Sequence, residues 1–218
     1  MRNRPAFAEG MLLDERVVPG SVAARHARLG EPHVAALHRW TRDVARAERR
    51  RVPSFDPASG GVHAPVLLLL QDPSAVAAHG SGLVSRHTND MTAGLLHRLC
   101  TEVGLPSAAT VLWNVVPWWV ADPAIPAGER LGLTAAARRA RPHLHTLLGL
   151  LPDARVVVLL GRLAQRAWDA GGPPPGSREV LRAPHPSPQA AHLTDRATGR
   201  RNADLLRDVL AEAAARVG

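Results

Sequence analysis

Val66-Leu67-Leu68-Leu69-Leu70-Gln71-Asp72-Pro73 is a run of five apolar residues that leads straight into an amide, a carboxylate and a proline. A continuous apolar run of this length reads as a strand buried on both faces, as in a parallel sheet covered by helices. Pro73 fixes its own φ at about −65° and pushes Asp72 toward extended backbone, so the strand leaves the sheet in a stiff loop that can aim a side chain. The pattern recurs along the chain. Thr110–Asn114 is rich in β-branched residues and ends on an amide just before Val115-Val116-Pro117. Val156–Leu160 runs into Gly161, and a short stretch from Glu179 to Arg182 leads to His185-Pro186-Ser187-Pro188.

Helical spacing lies between these strands. Val34, Leu37, Trp40 and Val44 mark a helix over residues 32–51, and Asp90 or Thr92 can cap one that runs to Val103. A long helix over 131–151 is expected to be interrupted or kinked at Pro142, and a closing helix covers 202–217. Residues 53–61 read as a connection, 80–89 as an irregular loop at the sheet edge, and 171–176 as a flexible stretch. The alternation predicts an α/β fold: a single-domain three-layer α/β/α sandwich around a central four-stranded, mostly parallel sheet. In such a sheet the strand ends carrying Asp72, Asn114 and His185 meet at the carboxyl edge, where open α/β folds bind ligands.

Composition narrows the chemistry. The 218 residues suit one domain, and no apolar run approaches the roughly 20 residues of a membrane span. The opening Met-Arg-Asn-Arg-Pro has no apolar signal core, so the expected compartment is the cytoplasm. A net charge of +8 fits a polyanionic partner, although every basic position is arginine, a bias that a GC-rich genome also produces. Cys100 is alone, in a segment with the pattern of a buried helix, so there is no disulfide framework and no cysteine-rich metal site. None of the 11 histidines pairs at the i, i+4 spacing of a helical metal motif, so no metal and no cofactor are expected. A hydrolase using His185 with a serine nucleophile lacks a Gly-x-Ser-x-Gly elbow, and Ser187 lies too close in sequence to serve.

Four motifs in order carry a family resemblance: Gln71-Asp72-Pro73 after a strand, a strand ending in Asn114, Val157-Val158-Leu159-Leu160-Gly161-Arg162-Leu163-Ala164-Gln165, and His185-Pro186-Ser187-Pro188 with Asn202 and Leu205 in the helix that follows. Together they resemble the uracil-DNA glycosylase superfamily, in a branch without an iron–sulfur cluster, because one cysteine cannot supply four thiolates. The resemblance implies a glycosylase-like α/β domain over residues 62–218 behind a helical N-terminal extension, 1–61, packed on or near the core. It implies a monomeric enzyme of base excision repair that flips uracil or a related damaged base out of DNA and hydrolyses its bond to the sugar. By the same resemblance, Asp72 positions the attacking water and stabilises the positive sugar, His185 hydrogen-bonds the departing base, and Asn114 reads the base edge. Gln71, Pro73, Ser74, Ser187, Leu83 and His87 would complete the substrate pocket, and Pro186, Pro188, Gln189, Arg200 and Arg201 would face DNA.

The chain departs from the family pattern at informative positions. Ser74 stands where many members carry Tyr, Leu70 where many carry Gly, and Gln189 where several place a Leu wedge. Leu83, Val84 or His87 occupies the region that usually supplies a stacking ring, which leaves Trp118 and Trp119 as alternative stackers. Adjacent residues of an extended chain face opposite ways, so one of the two tryptophans belongs to the core, as Trp113 and Trp168 are expected to. These departures also fit a relative that binds DNA or a nucleotide without cleaving it. Taken alone, Asp72 before Pro73 is also a common turn former and Asn114 a common strand-end amide.

Overall fold

In the computed structural model, which describes residues 1–171 and 178–218, six strands form: β1 (Ser54–Phe55), β2 (Val66–Leu70), β3 (Leu83–Val84), β4 (Thr110–Asn114), β5 (Val156–Leu160) and β6 (Glu179–Ala183). Four of them build a parallel sheet in the order β4-β2-β5-β6, with Leu70 opposite Asn114 and Leu160 opposite Ala183. β1 and β3 form a separate two-stranded parallel ribbon. The central strands are buried over nearly their whole length, which is why their sequences are continuously apolar rather than alternating.

Among the described residues eight α-helices flank the strands: α1 (Arg4–Ala8), α2 (Ser21–His26), α3 (Pro32–Glu48), α4 (Met91–Glu102), α5 (Leu133–Gly149), α6 (Arg162–Gly171), α7 (Pro188–Ala191) and α8 (Asn202–Ala215). One group packs α4 on α8, and α8 on β5 and β6; the other packs α5 on α3 and α6, and α6 on β5 and β2. The result is the α/β sandwich. Asp90 caps α4, its side chain accepting from the Ala93 N–H at 2.8 Å. Among the described residues no helix is long and apolar enough to cross a membrane.

Three expectations need correction. α5 is continuous through Pro142 rather than interrupted there, because its buried stripe of Ala136, Ala137, Ala140, Leu144, Leu147 and Leu148 holds it against the core on both sides of the proline. The 80–89 segment is irregular over residues 85–89, as expected, but not throughout. A π-helical turn, Val76–Ser81, leads into β3, and residues 83–88 are buried. Its partner is the 53–61 stretch read as a mere connection, which supplies β1 and the buried Asp56. The 171–176 stretch lies, from 172 onward, outside the described residues.

The N-terminal residues join the core. Leu37, Trp40 and Val44 of α3 belong to the main apolar cluster. Phe55 stacks on Trp113 at 3.7 Å between ring centroids, with Trp40 edge-on to Trp113 at 5.6 Å. Trp113, Trp118, Trp168 and Cys100 are all buried.

Candidate active site

The carboxyl ends of β4, β2, β5 and β6 lie side by side, so the residues that follow each strand converge without further adjustment. The β2–β4 ladder extends beyond the strands, with the Val115 N–H donating to Leu70 O at 2.8 Å and the Val116 N–H to Gln71 O at 2.9 Å. This fixes the Gln71-Asp72-Pro73 loop against β4. A cavity of about 1600 Å³ opens at this edge, lined by Gln71, Asp72, Pro73, Ser74, Leu83, Asn114, His185, Ser187 and Arg200, all singled out from the sequence. Val84, Ser85, Asp90, Trp119, Gly161, Arg162, Arg166 and Arg196 line it as well.

Asp72 is largely withdrawn from water, and burial pushes its carboxyl above the ordinary value of 3.8 against the pull of its hydrogen bonds. The main such bond comes from the Val120 N–H, which donates to Oδ2 at 2.8 Å. Asp72 is thus held from the far side by the 117–128 loop.

His185 is set by its own Pro-x-Pro frame. The Ser187 N–H donates to Nδ1 at 3.0 Å, so the neutral ring carries its proton on Nε2. Burial lowers its pKa below 6.5, with the negative charge of Asp90 working in the opposite direction. Ser187 Oγ meanwhile accepts from the Ala190 N–H and caps α7, and Asn202 ties α8 to the same turn by donating to Ala190 O at 2.8 Å.

Asn114 is buried, and neither its Oδ1 nor its Nδ2 has a hydrogen-bond partner among the described residues. A buried amide with both ends open costs stability, and strand-end placement alone does not account for it. It has the donor–acceptor pair to read a complementary edge.

Other candidates fall elsewhere. His87 does not line the cavity: its ring is buried, 3.3 Å from Asp56 through Nδ1 and 5.0 Å from the His97 ring. The aliphatic and polar environment of Leu83, Val84 and Ser85 makes the wall instead. Pro186 and Pro188 shape the turn without lining the cavity, and Gln189 and Arg201 are exposed outside it. Arg200 lines it but is paired to Asp208 at 2.6 Å. Of the two adjacent tryptophans, Trp118 is core and Trp119 lines the cavity, braced edge-on by His79, which in turn contacts Asp122 at 3.0 Å.

Sequence reading missed the Val120 N–H, Arg166 and Arg196, and it named Asp90 only as a helix cap and Arg162 only within a motif; the three arginines are exposed and make no ion pair among the described residues. It quoted Gly161 but gave it no role. Its φ is +94°, and a Cβ placed there would lie 2.8 Å from the His185 Cβ. A lone glycine closing an apolar strand was the available signal.

A search among curated proteins gives no match. The family model of the Uracil DNA glycosylase superfamily matches residues 57–212, which span all four strand ends of the central sheet and most of the closing helix. The chain belongs to the uracil DNA glycosylase superfamily.

Proposed function

We propose that this protein is a monofunctional DNA glycosylase that excises uracil or a related damaged base in base excision repair. The observation that carries the reading is the convergence on one cavity of a half-buried carboxylate, a neutral imidazole with Nε2–H free to donate, and an amide with both ends open. At about 1600 Å³ the cavity exceeds the roughly 300–1,000 Å³ of a small-molecule pocket, leaving room for a flipped nucleotide with its sugar and phosphate.

Each group has a task. As the N-glycosidic bond breaks, positive charge grows on the sugar and negative charge on the base. The ionised Asp72 faces the sugar, stabilises its charge and orients the attacking water, while the Val120 N–H keeps the carboxylate from turning away. His185 donates from Nε2 to the base oxygen that gains charge, and such a fixed donor is worth about 3 kcal/mol in the transition state. Asn114 pairs with the base edge, and a base with the wrong donor pattern leaves both amide atoms unpaired in a dry site. Trp119 is the indole at the cavity and supplies a face for stacking, worth about 1–3 kcal/mol.

The sequence contains no lysine, so no ε-amine is available for a Schiff base, which agrees with water as the nucleophile. Arg162, Arg166 and Arg196 on the rim hold the DNA backbone. The protein acts as a monomer in the cytoplasm, on DNA.

Single-turnover cleavage of single- and double-stranded oligonucleotides containing uracil, hypoxanthine, xanthine or hydroxymethyluracil tests this. Wild type should leave alkali-labile sites that Asp72→Asn and His185→Ala do not. A second reading, a relative that binds DNA or a nucleotide without cleavage, draws support from the Leu83-Val84-Ser85 wall, which carries no ring. Salt-sensitive DNA binding with no cleavage of any of the four bases would establish it and sink the first.

A further inference from the structure

The 83–90 segment, which lines the cavity through Leu83, Val84, Ser85, Thr88 and Asp90, is backed by the first 30 residues of the chain, which precede the segment matched by the family. The backbone carbonyls of three consecutive residues, 86–88, of which Thr88 lines the cavity and the other two sit behind it, accept from that segment. The Asn3 side chain, fully buried, donates through Nδ2 to Arg86 O at 3.0 Å and Thr88 O at 2.9 Å, and the Leu13 N–H donates to His87 O at 2.9 Å. Asn89 returns the contact: its Oδ1 accepts from the Arg2 and Asn3 N–H groups at 2.8 and 3.2 Å, and its Nδ2 donates to Asp14 at 2.7 Å. Leu13 and Leu29 pack directly on the cavity residue Leu83.

A buried polar relay reaches the same wall from α2. Arg25 donates to Asp56 Oδ1 at 2.6 Å, and the other oxygen of Asp56 accepts from the hydroxyl of Ser85, a cavity residue. Ser85 Oγ accepts in turn from the His87 N–H at 2.9 Å. Without Arg25, Asp56 would be a buried charge with no guanidinium beside it, and the anchor of Ser85 would be lost. Without Asn3, two buried carbonyls would lose the side-chain donor that reaches them.

We propose that residues 1–30 form the outer buttress of the base pocket, with Asn3 and Arg25 as positioning residues that hold the 83–90 wall against the flipped base. The proposal rests on the reading of the cavity as a base pocket. Its physical content is that the wall gets its shape from chain outside the family-matched segment, so a base is placed correctly only when that segment is docked. Displacing a wall by about 1 Å costs on the order of a hundredfold in rate.

The test uses the full chain and two readouts. Hydrogen exchange followed by fragment mass analysis compares wild type with Asn3→Ala, Arg25→Ala, Arg25→Lys and Asn89→Ala, the last removing the contacts to Arg2, Asn3 and Asp14 from the wall side. Single-turnover cleavage of the base that wild type prefers is measured on the same samples. Exchange in 83–90 should rise about tenfold in Asn3→Ala and Arg25→Ala while β2 and β5 keep wild-type protection. Cleavage at saturating DNA should fall about ten- to a hundredfold, with Arg25→Lys recovering part of both. If Arg25→Ala does not fold, Asn89→Ala carries the comparison in the same direction. Unchanged exchange in 83–90, or exchange raised equally throughout the chain with activity tracking only the folded fraction, overturns the proposal. An inactive wild type removes the glycosylase reading and leaves the exchange result to decide the buttress.

Discussion

A Cβ on Gly161 would lie 2.8 Å from the Cβ of His185, so the imidazole reaches its place only because residue 161 has no side chain. The Gly161 N–H donates to Ala183 O at 2.8 Å, and Gln165 Nε2 donates to the same carbonyl at 3.0 Å, which locks the two strand ends that bring the residues together. With φ at +94°, an alanine there is strained even before the clash.

Gly161→Ala should therefore damage chemistry and fold together. The strain and overpacking should cost about 2–4 kcal/mol of stability, and the displaced His185 should lower single-turnover cleavage about a hundredfold. Thermal unfolding and cleavage of the preferred oligonucleotide check both. Wild-type cleavage by a folded variant would mean that His185 does not need this position.

Asp72 links activity to stability with a definite sign. Its carboxyl is raised by burial, so the folded protein holds a proton that the unfolded chain has lost, and stability falls as pH rises through the window just above 3.8. At neutral pH the buried charge is a cost, relieved in Asp72→Asn, whose side-chain oxygen can still accept from the Val120 N–H. We expect Asp72→Asn to unfold at a higher temperature than wild type at pH 7, the gap closing toward pH 4, while cleavage is lost. A variant less stable than wild type at neutral pH would contradict this account.

His185 predicts the shape of the pH–rate profile. Its pKa is depressed below 6.5 by burial, and the Ser187 N–H on Nδ1 favours the neutral ring over imidazolium, which would need to donate there. Cleavage should then be flat from about pH 6.5 upward on the imidazole's account. The acid limb combines Asp72 protonation, above 3.8, with His185 protonation, below 6.5. His185→Gln should remove the imidazole component and leave the Asp72 one. A rate that falls as pH rises through the imidazole's titration would show that the charged ring does the work.

The rim arginines give a salt signature. Arg162, Arg166 and Arg196 line the cavity without ion pairs among the described residues, whereas Arg200 is already engaged by Asp208 and Arg201 lies outside. Each lost phosphate contact should flatten the slope of log affinity against log salt by about 0.9 on duplex and about 0.7 on single strands. Arg162→Ala with Arg166→Ala should show this in fluorescence anisotropy, with a smaller change for Arg201→Ala.

Much of this arrangement was written locally. The apolar runs of β2 and β5, and the residues that end β4 or follow β2 and β6, gave the sheet and three of its converging side chains, because strand burial and proline stiffness act within a few residues. What escaped was set at long range. The π-helical turn and β3 exist because β1, some 30 positions earlier, supplies a partner. His87 looked like a pocket residue by position, yet Asp56 and Arg25 draw it inward. No local pattern announces that a backbone N–H from residue 120 will hold Asp72, or that Asn3 will reach residues 86 and 88.

Asn114 offers the sharpest separation of function from fold. A buried amide with neither end bonded costs about 1–3 kcal/mol, so Asn114→Leu, close in volume and without polar atoms, should stabilise the protein. At this chain length a gain of about 1 kcal/mol raises the melting temperature by about 2–4 °C. The same change removes the donor–acceptor pair that discriminates among bases, so the ratio of cleavage rates between uracil and the other bases should collapse toward unity as every rate falls. An Asn114 that served only the strand end would show neither effect together: its replacement would lower stability and leave the ratio intact. Melting curves and the four-base cleavage panel on one preparation distinguish the two outcomes.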